Sequence, residues 1–113
     1  MQNKYRNEPT EFNGIKFQSK KEAQRFAELK LLERAGEITD LQLQRVFTLI
    51  GAQRDKEGKI IERPCKYIAD FAYKDQTGKL IVEDAKSPAT RTDVYKVKRK
   101  LMLSIYGIRI KEV

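Results

Sequence analysis

The stretch CKYIADFAYKDQTGKLIVEDAK, residues 65 to 86, narrows the fold more than any other part of the chain. Two runs, Cys65 to Lys74 and Leu80 to Lys86, flank the turn residues Asp75-Gln76-Thr77-Gly78 and predict a tight β-hairpin. Both runs carry charge where a core strand would stay apolar. Asp70 sits among Ile68, Ala69 and Phe71, and Glu83, Asp84 and Lys86 follow Ile81 and Val82. Charged side chains rarely enter a core unless they are paired or bound to a metal. The hairpin therefore either runs to an exposed edge or carries a site.

The remaining elements order themselves around it. Residues 1–18 read as an N-terminal arm or small hairpin, with Asn13-Gly14 as the turn between Glu11-Phe12 and Ile15-Lys16-Phe17. Ser19-Lys20-Lys21-Glu22 matches the capping box S-x-x-E and opens a helix whose apolar residues run from Ala23 to Leu32. Gly36 supplies its stop. Ile38 to Ile50 alternates as a strand, and Arg54 to Gly58 reads as a polar turn. After the central hairpin, Ser87-Pro88 breaks the chain, and Thr90 or Thr92 caps a second helix that ends at Gly107. Val94, Val97, Leu101 and Ile105 fall on one face of it, the face expected to be buried. Ile108 to Val113 forms a last short strand. The order from residue 19 to 113 is αβββαβ, a single α/β domain, more narrowly α+β, with one sheet packed by helices.

Composition excludes several chemistries. The 113 residues contain no histidine, which removes Ser-His-Asp and Cys-His catalysis and every zinc site built from His and Cys. The single cysteine, Cys65, excludes an internal disulfide framework. No apolar run approaches the roughly 20 residues that span a bilayer, and the N-terminal stretch lacks the apolar core of a secretory signal, so a cytoplasmic protein is expected. Carboxylate, lysine, tyrosine and oxygen-liganded cations remain for chemistry. From Lys86 onward eight basic residues face only Asp93 and Glu112, so this quarter carries +6 of the net +8. That asymmetry points to a polyanion partner, most simply nucleic acid, although a solvated helix face reads the same way.

The hairpin brings two carboxylates together. If its turn spans five residues, Lys74 pairs with Leu80 and Asp70 faces Asp84; if four, Glu83 takes that place. Lys86 shares a strand face with Asp84 and not with Glu83, which favours Asp84. Opposed carboxylates repel unless a cation lies between them, and Mg²⁺ accepts a few carboxylates while water and phosphate oxygens fill its shell. A lysine on the same face would hold a water or stabilise charge developing on phosphorus. The plain alternative for Asp84 and Lys86 is a same-face salt bridge.

The element order, with Asp70 in YIADF and Asp84-Ala85-Lys86 in VEDAKS, resembles the PD-(D/E)XK nuclease superfamily, and GIKFQSKKEA and LQLQ resemble its small phage and prophage members. The resemblance runs from Lys4 to Val113 and implies a restriction-endonuclease-like core with a mixed sheet. It implies that Asp70 and Asp84 bind Mg²⁺, with Mn²⁺ as a substitute, that Lys86 is the catalytic lysine, and that Glu22 on the first helix assists as a further ligand. Ala69 stands where the name-giving proline would be. The implied activity is cleavage of DNA, with branched DNA such as the Holliday junction as substrate, a homodimer as the working form, and the bacterial host cytoplasm as its place if the chain is phage-encoded. Around that site, Gln44 and Glu83 are candidates for orienting water or phosphate, and Arg91, Tyr95, Lys96, Arg99 and Lys100 for binding DNA. Glu22 also fits as the closing residue of its capping box, and Tyr67 and Tyr73 read as packing. A nuclease of flaps, single strands or duplex, and a non-catalytic nucleic-acid-binding module, are the alternatives.

Overall fold

A computed structural model describes residues 9–113, and the first eight residues of the N-terminal stretch lie outside them. Thr10–Phe12 (β1) and Ile15–Phe17 (β2) form an antiparallel hairpin. Its turn residues Asn13 and Gly14 both take positive φ, 52° and 77°, the combination whose twist matches that of the flanking strands. Helix α1, Lys20–Arg34, follows. The Ser19 hydroxyl accepts the Glu22 backbone N–H at 3.1 Å, which satisfies one of the orphan donors of the first turn. Phe26 of α1 packs against Phe17 and Phe12 of the hairpin, with ring centroids 5.1 and 6.1 Å away.

Thr39–Ile50 (β3) comes next. The expected polar turn at 54–58 is the tip of a small additional hairpin, Gln53–Arg54 (β4) and Ile60–Glu62 (β5). Cys65–Lys74 (β6) and Leu80–Asp84 (β7) form the central hairpin, and α2 spans Asp93–Tyr106 before a short last strand, Lys111–Glu112 (β8). Thr92 is the cap that α2 uses, accepting the Tyr95 N–H at 3.1 Å, and Gly107 ends the helix in the left-handed conformation.

The main sheet runs β3-β6-β7-β8, antiparallel except for the parallel β7–β8 pair. It is a mixed sheet with two helices packed against it, an α+β fold. The turn joining β6 to β7 spans five residues. Asp75 Oδ1 accepts the N–H groups of Thr77 and Lys79 at 2.9 and 3.0 Å, and Gly78 takes φ 86°. That turn locks Lys74 opposite Leu80 and Phe71 opposite Glu83, where the pairing ends, and Asp70 and Asp84 are the next residues of the two strands.

Alternation along β7 sends Ile81 into a core shared with α1 and Val82 into one shared with α2. Phe71, Leu29, Met102 and Val82 are completely enclosed, each contributing about 1.5–3 kcal/mol of burial. The β3–β6 ribbon, however, turns over along its length. Leu41, Leu43, Phe71 and Tyr73 lie in the α1 core, whereas Phe47, Leu49, Tyr67 and Ala69 lie in the α2 core. An unbroken strand keeps alternate residues on one face. The break falls where Gln44, at φ 53°, meets Asp70, between the Leu43–Phe71 and Arg45–Ala69 pairs. A non-glycine residue held there costs about 1–3 kcal/mol, strain that concentrates at functional sites.

Helix α2 corrects one expectation. Its stripe of Val94, Val97 and Ile105 is exposed, with Leu101 half-buried; Tyr95 and Met102 face inward instead. Tyr95 packs toward Tyr67, with ring centroids 6.5 Å apart, so the larger, more polarizable side of the helix took the core. Among the described residues, no helix is long and apolar enough to cross a membrane.

Candidate active site

Asp70, Asp84, Lys86 and Glu22 come together from β6, the end of β7, the segment after it, and the first turn of α1. Asp70 Oδ2 accepts the Ala85 backbone N–H at 2.9 Å, which ties the two strand ends together beyond the ladder. Asp84 is only 4% exposed; its carboxyl accepts a hydrogen bond from the Tyr67 hydroxyl at 2.6 Å and faces Lys86 Nζ at 3.7 Å. Lys86 Nζ also rests 4.3 Å from the centre of the Tyr95 ring, an attraction between cation and ring face. Past Asp84 the backbone is held by the chain terminus: Val113 N–H donates to Asp84 O at 3.0 Å and Lys86 N–H to Val113 O at 3.1 Å.

The electrostatics are those of crowded carboxylates. Burial pushes Asp84 up to about 8, reinforced by the Asp70 carboxyl within hydrogen-bonding reach and opposed by Tyr67 and Lys86. Burial and the Asp70 charge push Glu22 up to about 7, against the Gln18 backbone N–H and Lys86. The Glu22 carboxylate therefore leans on Gln18 and looks into the cluster, and the half of the capping box that is formed is the one made by the Ser19 hydroxyl.

The cluster is the floor of a cleft. Two lobes of about 380 and 340 Å³ meet at Gln18, Asp70, Asp84 and Lys86; one is walled by Lys66, Ile68, Val94 and Lys98, the other by Lys21, Ser87 and Thr90. A larger cavity of about 540 Å³ lies beside Arg99, Lys100, Arg109 and Glu112, but its one carboxylate is already neutralised, as described below.

Glu83 is not part of the cleft, which corrects its candidacy for orienting water or phosphate. It is 0% exposed and points toward α1, where Arg25 Nε and Nη2 donate to its two oxygens at 2.7 Å each. The Tyr73 hydroxyl donates to it as well, and Lys111 Nζ lies 3.9 Å away. The reason is the pleat: neighbours on a strand face opposite ways, so only one of the adjacent acids reaches the cleft. Tyr67 and Tyr73, expected only to pack, each serve one of these acids.

The candidate DNA contacts divide in a similar way. Arg91 and Arg99 donate to Glu112 at 3.1 Å each, and the Tyr95 hydroxyl at 2.7 Å. These bonds hold the Glu112 carboxyl below the usual carboxylate range, Tyr95 contributing most, then Arg99 and Arg91. Tyr95 is buried, while Lys96 and Lys100 are exposed outside the cleft lining. The cations that line it, Lys66, Lys98 and Lys21, were not among the candidates. Period two from Asp70 would have found Lys66, and one helical turn from Val94 finds Lys98. Gln44 does reach the site, its amide 3.5 Å from Asp70 Oδ1.

The profile of a family of proteins of unknown function, DUF1064, matches residues 2–111. The chain belongs to the DUF1064 family. No curated protein and no solved structure matches it.

In this DUF1064 chain the donor set suits a hard divalent cation. Among the described residues, no three acidic or cysteine side chains are grouped so as to hold a metal ion by themselves. What the cleft has instead is a carboxylate pair, Asp70 and Asp84, whose mutual repulsion Tyr67 and Lys86 offset in part at Asp84, with Glu22 behind it. Carboxylates on the floor of a cleft suit Mg²⁺, which keeps several waters and takes its remaining oxygens from phosphates.

Proposed function

We propose that the chain is a Mg²⁺-dependent DNA endonuclease of the PD-(D/E)XK type. The observation that carries this reading is the meeting of Asp70 and Asp84 just past the last paired residues of β6 and β7, with Lys86 beside Asp84, on the floor of a lysine-lined cleft. Asp70 and Asp84 would hold the metal, with Glu22 as a further ligand directly or through water. When bound, the metal supplies Lewis-acid stabilisation of the charge that grows on the phosphoryl oxygens.

The chain's own groups do the rest. Lys86, fixed between Asp84 and the Tyr95 ring, orients the attacking water and places a positive charge beside the phosphate as charge develops. Water oxygen bonds to phosphorus and gives up one proton to solvent, the bond to one ester oxygen breaks, and that oxygen leaves with a proton taken back from solvent. Tyr67 holds the Asp84 carboxyl in place. Gln44 steadies Asp70, and Lys66, Lys98 and Lys21 bind the phosphates on either side. Branched recombination intermediates are the proposed substrate, and the paired cuts that a symmetric four-way junction requires imply two copies of the chain. The bacterial cytoplasm is the corresponding location.

The test is incubation with labelled four-way junction, flap, single-stranded and duplex DNA, in Mg²⁺ and in EDTA, beside Asp70→Asn. Paired nicks confined to the junction, dependent on Mg²⁺ and absent from the variant, are expected. Cleavage of another substrate with the same dependence would keep the site and change the substrate. Equal binding of every DNA with no cut would leave a binding module.

Glu112 makes a separate prediction. Glu112→Gln releases Arg91 and Arg99 from a full negative charge, and DNA affinity at low salt is expected to rise about 3–10-fold, with a steeper fall on adding salt. Fluorescence anisotropy across a KCl series reads both; an unchanged affinity and slope would show that neither arginine reaches a phosphate.

A further inference from the structure

The catalytic cleft shares a wall with a second pocket. Cys65, Asp93, Val94, Val97, Lys98 and Leu101 line a hollow of about 280 Å³, and two of them, Val94 and Lys98, also line the cleft. The surface here is apolar and open: Val94 is 65% exposed, Val97 55%, and Ile68 on the cleft side 52%. Aliphatic surface costs about 25 cal/mol per Å² to leave in water, so covering these side chains with a ligand is favourable.

Its surroundings select the occupant. Lys98 stands on the shared wall, beside Asp93 of the hollow, and Lys66 and Lys86 stand in the adjoining lobe with Asp70 and Asp84, so a phosphate held by these lysines would bring the group attached to it to the mouth of the hollow. A second copy docking here would bring Lys96, Lys98 and Lys100 of two α2 helices together in a chain of net charge +8, which is repulsive. A group that offers an apolar face yet is attached to phosphates is a nucleobase. The hollow falls just under the roughly 300–1,000 Å³ of pockets that hold whole small ligands, a size suited to one base. A continuous duplex keeps its bases stacked, whereas a base at a branch or in a single strand costs little to turn out.

We propose that this pocket takes one unstacked nucleobase beside the phosphate bound in the cleft, so that the site selects DNA with an unpaired or splayed nucleotide next to the cut. The inference rests on the nuclease reading of the cleft and specifies its substrate. Val94, Val97 and Leu101 exclude water from the ring face, and Lys98 holds the phosphate at the pocket mouth.

The experiment places 2-aminopurine one nucleotide from the branch of a four-way junction and reads its fluorescence with full-length protein in EDTA, where nothing is cut. Binding is expected to raise the signal several-fold. Val97→Asp is expected to abolish the rise and weaken junction binding about 5–10-fold relative to duplex. Val97→Ser, with thermal melting of both variants, guards against loss of fold. No rise with the unaltered protein, a rise that survives Val97→Asp, or equal weakening toward junction and duplex would overturn the proposal. So would light scattering in which Val97→Asp turns a dimer into a monomer with the fluorescence unchanged. A fluorescence rise without cleavage in Mg²⁺ would support the pocket and sink the nuclease reading; cleavage without a rise would do the reverse.

Discussion

Arg25→Ala is expected to destabilise the protein by about 3–5 kcal/mol, the range for removing one partner of a buried ion pair. Glu83 is completely enclosed between α1 and the sheet, and both its oxygens receive Arg25 donors at 2.7 Å. Without the guanidinium, the carboxylate would keep only the Tyr73 hydroxyl and a distant Lys111 as partners. The pair links positions 58 residues apart and anchors α1, which carries Glu22, to the strand that carries Asp84. Urea unfolding at neutral pH gives the measurement, and a loss below 1 kcal/mol would show that the pair is not holding α1. Arg25→Met with Glu83→Leu is expected to recover much of the stability, because an apolar pair of similar volume avoids the cost of burying charge. On the proposed function, cleavage in that double variant separates the anchor from the chemistry: Glu83 is not in the cleft, so the proposed activity should return with the fold.

Asp84→Asn should act in opposite directions on activity and stability. If the chain is the nuclease proposed above, cleavage is expected to fall roughly 10³-fold or more, since the variant would lose a proposed metal ligand and the partner that faces Lys86. The metal-free fold should gain. Asp84 moves from an ordinary 3.8 to about 8 on folding, and Glu22 from 4.5 to about 7. Both shifts are upward, so the folded state binds more protons than the unfolded chain across that window, and stability falls as pH rises from about 4 to about 8. Asparagine removes the largest part of this slope, for a gain on the order of 2 kcal/mol at pH 8, or roughly 5–10 °C in Tm. Thermal melts in EDTA at pH 5 and pH 8 read it directly. If the unaltered protein melts equally at both pH values, the carboxylates are not crowded in the way described. Mg²⁺ should raise the Tm of the unaltered protein at pH 8 and leave that of Asp84→Asn nearly unmoved, because a ligand stabilises only the state that binds it.

The local signals in the chain were strong. Ser19 caps α1 as its capping-box motif predicts, Thr92 rather than Thr90 caps α2, Gly36 and Gly107 follow the helix ends, and Asn13-Gly14 turns the first hairpin. Asp70, Asp84 and Lys86 were legible as a constellation because strand alternation and a hairpin turn act over a few residues. One slip in the turn would have exchanged Glu83 for Asp84, and it is the side chain of Asp75, bonding two N–H groups inside the loop, that decides the five-residue form.

Other features depend on contacts that no short window contains. Period 3.6 established that α2 has an aliphatic stripe, but a stripe does not say which side of a helix finds a core. Tyr95 and Met102 won that contest because Tyr67 and the sheet gave them complementary surface, and the stripe was left beside the cleft. Glu112 and its two arginines, like Arg25 and Glu83, became partners only when distant strands and helices met. The order of the elements and the chemistry available to the chain were thus set by sequence, through local geometry and residue type. Tertiary packing decided which acids pair with arginine, which lysines line the cleft, and which apolar face stays open, because each is settled by neighbours far away in the chain.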